Sequence, residues 1–467
     1  MSAMRQTRLA LAILVACFAA SCSLTPDYVR PELPIPPSFT TKSLAGVPNI
    51  DPEWWRIFSN KTLNALVAEA DRDNTDTAAA VHRIEQARAL YRIARASLFP
   101  FIDASGEASI ARINPRNAPA RTEKTLTGDV TLSYDLDLFG RNRAETQSAR
   151  ADIASRQFDQ EAIKLSIQAE VAATYFSFLL ARDQLGISAD TITNFEEVLR
   201  VAEARFEAGA TSTLDVSRQK SELASARAAR ALFLRDMRNA ENALAVLLGD
   251  AAGTLKVKGS GLTALKVPKV TPGQPAALLY RRPDIRRAEA DLIAANADIG
   301  VARAALFPAL GLNLEAAVAN NPVTTTISIG SSLLAPIFHG GRLKAGVRLS
   351  EARKAELVEV YRKTVLVALQ QVEDALAAVR SAQQRFADLT VALQESRNAY
   401  NLSRVQYEAG TIDFQTLLDA QRTLFFAQDN LALARFDRLV AAVEMVSALG
   451  GGWVEQTRDI QLAKSTN

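Results

Sequence analysis

Two cysteines and two histidines in 467 residues leave little room for thiol or imidazole chemistry. Both cysteines, Cys17 and Cys22, lie close to the N-terminus, so a chain beginning at Cys22 would hold neither a disulfide nor a thiolate metal site. His82 falls in a charged helical pattern and His339 in a turn, far apart in sequence. No phosphate-cradling glycine loop, zinc-spaced Cys/His cluster or Gly-x-Ser-x-Gly elbow occurs. We therefore expect no catalytic residue, no metal and no cofactor. Charge is balanced, 54 Lys+Arg against 51 Asp+Glu, and supplies no basic face for nucleic acid. The apolar run Leu9 to Ala20 is too short to span a bilayer. Proline is missing from Arg141 to Leu248, where Gly186 and Gly209 are the only glycines.

Arg5 and Arg8 before that apolar run give the layout of a secretory signal peptide, assigned to 1–21. The segment resembles a bacterial lipoprotein leader, in which a cysteine becomes the acylated first residue. Leu14-Val15-Ala16-Cys17 fits the usual acylation box well, while the family resemblance given below, through the residues following Cys22, implies Cys22, with Cys17 the alternative. Residues 22–50 form a proline-rich strap, with five prolines between Pro26 and Pro37.

The long proline-free stretch reads as helix. Phe178, Leu185, Ile192, Leu199 and Phe206 recur every seven residues, beside a second seam of Ala181, Ser188, Phe195 and Ala202, which is a coiled-coil pattern. A helix from Arg141 to Phe206 would be roughly 100 Å long. It runs into Arg205-Phe-Glu-Ala-Gly209, after which Thr211 and Ser212 can cap a second helix. The same phrase returns as Gln406-Tyr-Glu-Ala-Gly410, followed by Thr411. Glycine ends a helix cheaply by taking positive φ, and Ser, Thr or Asp caps the next one. Each copy is thus the tip of an αα-hairpin.

Ahead of each hairpin the period changes to two. From Leu126 to Leu138 the even positions are apolar or glycine while Thr127, Asp129, Thr131, Ser133, Asp135 and Asp137 fill the odd ones, as in a strand that crosses a bilayer at a tilt. Ile102 to Ile110 alternates more weakly, and Asn114 to Lys124 reads as the loop between them. The second half repeats this with Leu310, Leu312 and Leu314, then Ile327, Ile329 and Leu333. Ala94 to Pro100 reappears as Ala302 to Pro308. Val379, Phe386, Leu393, Tyr400 and Tyr407 stand 201 positions after the first heptad series, which marks an internal duplication.

The predicted layout is a first repeat over 51–260, with a β-hairpin at 101–138 and a helical hairpin at 141–248. A second repeat covers 261–453, with corresponding parts at 309–336 and 341–449, and 454–467 is a polar tail. Four membrane strands per chain are too few to close a barrel. The barrel must be shared, and the pattern allows two copies or three.

Several phrases carry a specific resemblance. They are Cys22-Ser-Leu-Thr-Pro-Asp-Tyr-Val-Arg-Pro31, Trp54-Trp55, Arg281-Arg-Pro-Asp-Ile-Arg286, Ala294 to Gly300, Leu418-Asp-Ala-Gln-Arg422 and Ala448-Leu-Gly-Gly-Gly-Trp453. They look like the outer-membrane efflux factors, the TolC-like channels, in their NodT-type lipoprotein branch. The resemblance covers essentially the whole mature chain. It implies a mainly α fold with a membrane β-barrel part, in which a homotrimer closes a twelve-stranded barrel above a periplasmic α-barrel. It also implies a passive exit duct for small molecules such as drugs, lipid-anchored in the outer membrane and reaching into the periplasm. The implied partners are a periplasmic adaptor protein and an inner-membrane RND-type transporter; a protein-secretion duct is the alternative. Asp419 and Arg422 then match a motif at the periplasmic constriction, with Gln415 one turn earlier where the branch often has an apolar residue. The tips, through Gly209, Thr211, Ser212, Gly410 and Thr411, would meet the adaptor.

Overall fold

The protein is described by a computed structural model over residues 23–40, 50–116, 119–268, 273–320 and 322–453. The leader, both cysteines and the tail 454–467 lie outside the described residues. A 3-10 turn at Trp54–Phe58 leads into helices α1 (Lys61–Asp73) and α2 (Thr75–Ala96), then strands β1 (Phe101–Ile113) and β2 (Arg121–Leu136). Helices α3 (Arg141–Glu207) and α4 (Thr213–Leu247) form the first helical hairpin. After α5 (Pro283–Ala304), strands β3 (Ala309–Asn320) and β4 (Val323–Leu334) precede the second hairpin, α6 (Arg342–Glu408) and α7 (Phe414–Ala448). Both boundaries of α6 and of α7 fall 201 residues after their counterparts in α3 and α4. The duplication seen in the sequence therefore holds at the level of whole elements.

The four strands make one antiparallel sheet in the order β1-β2-β3-β4. Its register sorts the side chains by chemistry. Ile102, Leu132, Leu314 and Ile329 form one row across one face, and Asp103, Thr131, Glu315 and Ser328 form the adjacent row on the other. On that polar face Ser105 Oγ donates to Asp129 Oδ1 across the strands at 2.5 Å. The outer edges of β1 and β4 have no strand partner among the described residues.

One expectation needs correction. The loop read from Asn114 to Lys124 is shorter, because Arg121 to Thr125 already belong to β2 and pair with Ile113 to Ser109. Arg121, Thr122, Glu123 and Lys124 are polar on both faces, and hydrophobic alternation cannot register a strand that has no apolar side.

The chain divides into two compact units, each drawing on both halves of the sequence. The first comprises Met1–Leu33, His82–Gln157 and Arg287–Lys363 and includes the sheet. Here the strap docks on α5. Asn296 Nδ2 donates to the Pro26 carbonyl at 2.7 Å, and Arg30 pairs with the buried Glu289 at 2.6 Å. Thr25 packs so closely on Gly300 that any side chain there would collide with it.

The second unit comprises Pro34–Val81, Phe158–Arg286 and Thr364–Asn467. Its largest core gathers Trp54, Phe58, Leu63, Val67, Val171, Tyr175, Phe176, Leu179, Leu244 and Val446. Trp54 is fully buried, and its indole N–H reaches Gln168 Oε1 at 3.3 Å, which satisfies the one polar atom the ring brings inside. Truncating such a residue to alanine costs about 3–5 kcal/mol, which makes the sequence-visible Trp54-Trp55 pair a packing anchor. No described helix is long and apolar enough to cross a membrane.

Candidate functional site at the hairpin tips

All the predicted tip and constriction residues belong to the second unit. At the first tip Gly209 takes φ 72°, and at the second Gly410 takes φ 75°, both in the left-handed region. The Gly209 and Ala210 amides donate to the Phe206 and Arg205 carbonyls at 2.9 and 2.8 Å. Those of Gly410 and Thr411 donate to Tyr407 and Gln406 at 3.0 and 2.9 Å. This doubled bond satisfies helix-end carbonyls and needs a residue that tolerates positive φ, which accounts for both glycines.

The next helix is started differently at each tip. Ser212 accepts from the Asp215 amide and Asp215 accepts in return from the Ser212 amide, a reciprocal capping box, while Thr211 Oγ1 donates to Asp215 Oδ2 at 2.7 Å. Burial would raise the Asp215 carboxyl, yet the Thr211 and Ser212 hydrogen bonds hold it below its ordinary value. At the second tip Asp413 Oδ1 itself is the cap, accepting from the Thr416 amide and hydroxyl at 2.8 and 2.7 Å. Those two bonds lower its carboxyl pKa. Thr411 Oγ1 donates to the Gln406 carbonyl at 3.0 Å. Thr211, Ser212 and Thr411 are thus all engaged in ending or starting helices.

Beyond the second tip α7 presents two faces. Phe414, Leu417, Leu418 and Leu424 pack with Val198, Tyr400 and Tyr407. Gln415, Asp419 and Arg422 lie on the exposed side. Gln415 Nε2 donates to Asp419 Oδ1 at 3.0 Å and receives Arg218 Nη1 on its own oxygen at 2.9 Å. Within the chain Arg422 is paired with Glu222 of α4, which raises its pKa, and not with Asp419 three residues away. The three residues therefore join a polar ladder between α4 and α7.

Sequence reasoning missed three members of this site. Glu222 and Arg218 are about 200 residues from the α7 groups they hold, so no local pattern links them. Arg205 is one of the two residues that differ between the tip phrases, the other being Phe206. Its Nη1 donates to the Tyr407 carbonyl at 2.6 Å and its guanidinium lies 4.8 Å from the Tyr407 ring centroid. It thus caps the C-terminal end of α6 with a positive charge. Among the described residues no group of His, Cys, Asp and Glu is arranged to hold a metal ion.

The comparisons agree with this architecture. The family model described as "Outer membrane efflux protein" matches residues 66–250 and 275–451. The pyoverdine export outer membrane protein OpmQ of Pseudomonas aeruginosa is 36% identical over 414 residues, covering 86% of this chain and 87% of that protein. The probable efflux pump outer membrane protein TtgC of Pseudomonas putida is 33% identical over 472 residues, covering 97% of each. The solved structure of the outer-membrane channel OprN superposes with a TM-score of 0.86 at 28% identity, over 92% of this chain and 100% of that one. With the match covering most of the chain in two stretches, the chain belongs to the outer membrane efflux protein family, with the mainly helical TolC-like channel fold.

Proposed function

We propose that three copies of this outer-membrane efflux channel close one twelve-stranded barrel and act together as a passive exit duct for small molecules. The observation that carries this reading is the pair of unpartnered edges on a four-stranded sheet. In a bilayer each unsatisfied backbone group costs several kcal/mol, so two open edges of this length would cost on the order of tens of kcal/mol. Edge-to-edge closure with other copies removes that cost. The apolar row through Ile102, Leu132, Leu314 and Ile329 then meets lipid and the acidic row through Asp103 and Glu315 meets the lumen. Native mass spectrometry of detergent-extracted protein is expected to show a trimer that conducts in planar bilayers. A stable folded monomer would sink both the barrel and the duct.

The further parts of the proposal concern partners and anchoring. A periplasmic adaptor binds the tips and links them to an inner-membrane transporter of the RND type, which supplies the energy. The relatives above are named for efflux and export, which favours this role over protein secretion. Cys22 carries the lipid, with Cys17 the alternative, and mass spectrometry of the N-terminal peptide decides between them. At the constriction three Asp419 carboxylates surround the axis and repel one another, while the Glu222–Arg422 and Arg218–Gln415 contacts hold α7 against α4 in the closed state. Opening requires those contacts to break.

A further inference from the structure

The two strand pairs end differently on the side of the sheet away from the helices. The β3–β4 pair closes at Asn320↔Val323 and the β2–β3 ladder stops at Thr127↔Ala319, where the Leu126 amide donates to Asn320 Oδ1 at 2.7 Å. Strands β1 and β2 continue beyond this point through five more pairs, from Ser109↔Thr125 to Ile113↔Arg121. This arm carries Arg112, Arg121, Glu123 and Lys124. Nothing between Val318 and Thr326 at the end of the other pair is charged.

Register separates those charges by face. Arg121 Nε pairs with Glu123 Oε1 at 2.8 Å, on the face that also bears Asp103 and Asp129. Arg112 and Lys124 stand on the opposite face, continuing the apolar rows that end at Ile110 and Leu126. Arg112 is opposite Thr122, two residues from Lys124, so the two cations are diagonal neighbours. No carboxylate shares that face of the arm. Below Ile110 the β1 side of the same face is shallow, with Ala108, Gly106 and Ala104, and it runs beside the exposed Leu126 and Val130 of β2, which flank a gap at Gly128. A methyl group added at either glycine would meet nothing nearer than 3.8 Å.

Two cations above a shallow apolar floor fit an amphiphile with a phosphate over an acyl chain. We propose that this arm binds the phosphorylated, multiply acylated glycolipid of the outer leaflet. Arg112 and Lys124 share one phosphate, and an acyl chain lies over Gly106 and Gly128. The orientation rests on the barrel reading above, in which the helices are periplasmic and the strand turns face outward. A bridging phosphate converts the repulsion between neighbouring cations into two charge-assisted contacts, and arginine can make its contact with two parallel N–H donors. Each chain has one such arm, which gives three sites per trimer.

The test measures binding of hexa-acylated lipid A, and of its dephosphorylated form, to the purified full-length trimer by native mass spectrometry. Wild type is expected to retain lipid A and to hold the dephosphorylated form about thirtyfold more weakly, two cations near a lipid surface contributing about fivefold each. Arg112→Ser combined with Lys124→Ser should bring lipid A down to the dephosphorylated level, and the charge-keeping Arg112→Lys with Lys124→Arg should restore most of the affinity. Gly128→Leu should weaken lipid A while leaving glucosamine 1-phosphate binding unchanged. Equal binding of lipid A to wild type and the double serine variant overturns the proposal, as does indifference of wild type to the phosphates. Full displacement of lipid A by low-millimolar inorganic phosphate would mean a free-phosphate site and overturns the lipid assignment. Single-channel conductance separates this question from the barrel itself: a trimer that conducts but binds no lipid A defeats the arm alone, whereas failure to trimerise defeats the barrel.

Discussion

The two hairpin tips share a backbone and differ in what they expose. Phe206 and Tyr407 are duplicated positions, yet Phe206 is 45% exposed and Tyr407 only 3%. Just past the glycines the first tip has Leu214, 56% exposed, where the second has Gln415, and the second has Phe414, 3% exposed and edge-on to the Tyr407 ring at 5.9 Å, where the first has Thr213. The turn geometry survived duplication because it is fixed by backbone requirements that only glycine and a capping side chain meet. The outer surfaces were free to diverge. One tip became an apolar surface left open in the single chain, and the other turned its aromatic rings inward and presents Gln415, Asp419 and Arg422.

If that divergence reflects a division of labour, the largest effect belongs to the first tip. Gly209→Trp should abolish efflux, read as drug susceptibility matching a deletion strain, while the amount of trimer in the membrane stays unchanged. Gly209→Asn is the control, since asparagine tolerates the left-handed backbone and should keep most activity. Gly410→Trp should act in the same direction through its own contact with the adaptor. Loss of efflux in proportion to loss of trimer would remove the contact role from both glycines.

The second tip should respond in conductance. Replacing Asp419 and Arg422 together with alanine is expected to raise single-channel conductance in planar bilayers severalfold. Glu222→Gln alone should reproduce part of that rise, because it releases Arg422 from α4 without touching α7. A double variant conducting like wild type would take Asp419 and Arg422 out of the gate. An effect of the double variant without any effect of Glu222→Gln would mean that the charge at the axis matters and the α4 contact does not.

A smaller effect is expected where the tips meet. Arg205→Ala removes both the cap on the Tyr407 carbonyl and the cation over its ring, together worth about 1 to 2 kcal/mol. Amide hydrogen exchange across Arg404 to Gly410 should accelerate by roughly tenfold, with little change on α4. Unaltered exchange there would show that the second tip holds its shape without help from the first.

Much of this architecture was legible because it depends on local rules. A proline-free heptad series declares a long helix, glycine followed by Ser, Thr or Asp declares its end, and alternation declares a half-apolar strand. Burial was less legible even inside a helix that was read correctly. Ala181, Ser188, Phe195 and Ala202 form a buried seam of α3, whereas the other series is buried only at Phe178, half-buried at Leu185, Ile192 and Leu199, and exposed at Phe206. A heptad gives the spacing of two seams, and which one faces the chain's own core depends on packing among distant helices. The same distance hid Glu222 behind Arg422, and the polar start of β2 hid the first five residues of that strand, Arg121 to Thr125.

The least effect, and the finest separation of the two tips, should come from pH. Both Asp215 and Asp413 have their carboxyl pKa lowered in the folded chain, the latter by the Thr416 bonds. A carboxylate whose folded pKa lies below its unfolded value contributes stability above the unfolded value and loses it as pH falls through the folded one. Both contributions are therefore complete at neutral pH and fade only below the ordinary carboxylate range. Asp215 supports a cap whose acceptor is the Ser212 hydroxyl, which does not titrate, so the first tip keeps its main cap when Asp215 is protonated. At the second tip Asp413 is the acceptor, and protonation weakens the cap directly. Acidification from pH 7 to pH 3 should speed exchange at the start of α7 more than at the start of α4, after correction for the intrinsic exchange rate. Asp413→Asn, which keeps a capping oxygen without a titrating charge, should abolish that excess. Equal acceleration at both tips would mean that the low-pH response comes from the helices they join and that the caps play no part in it.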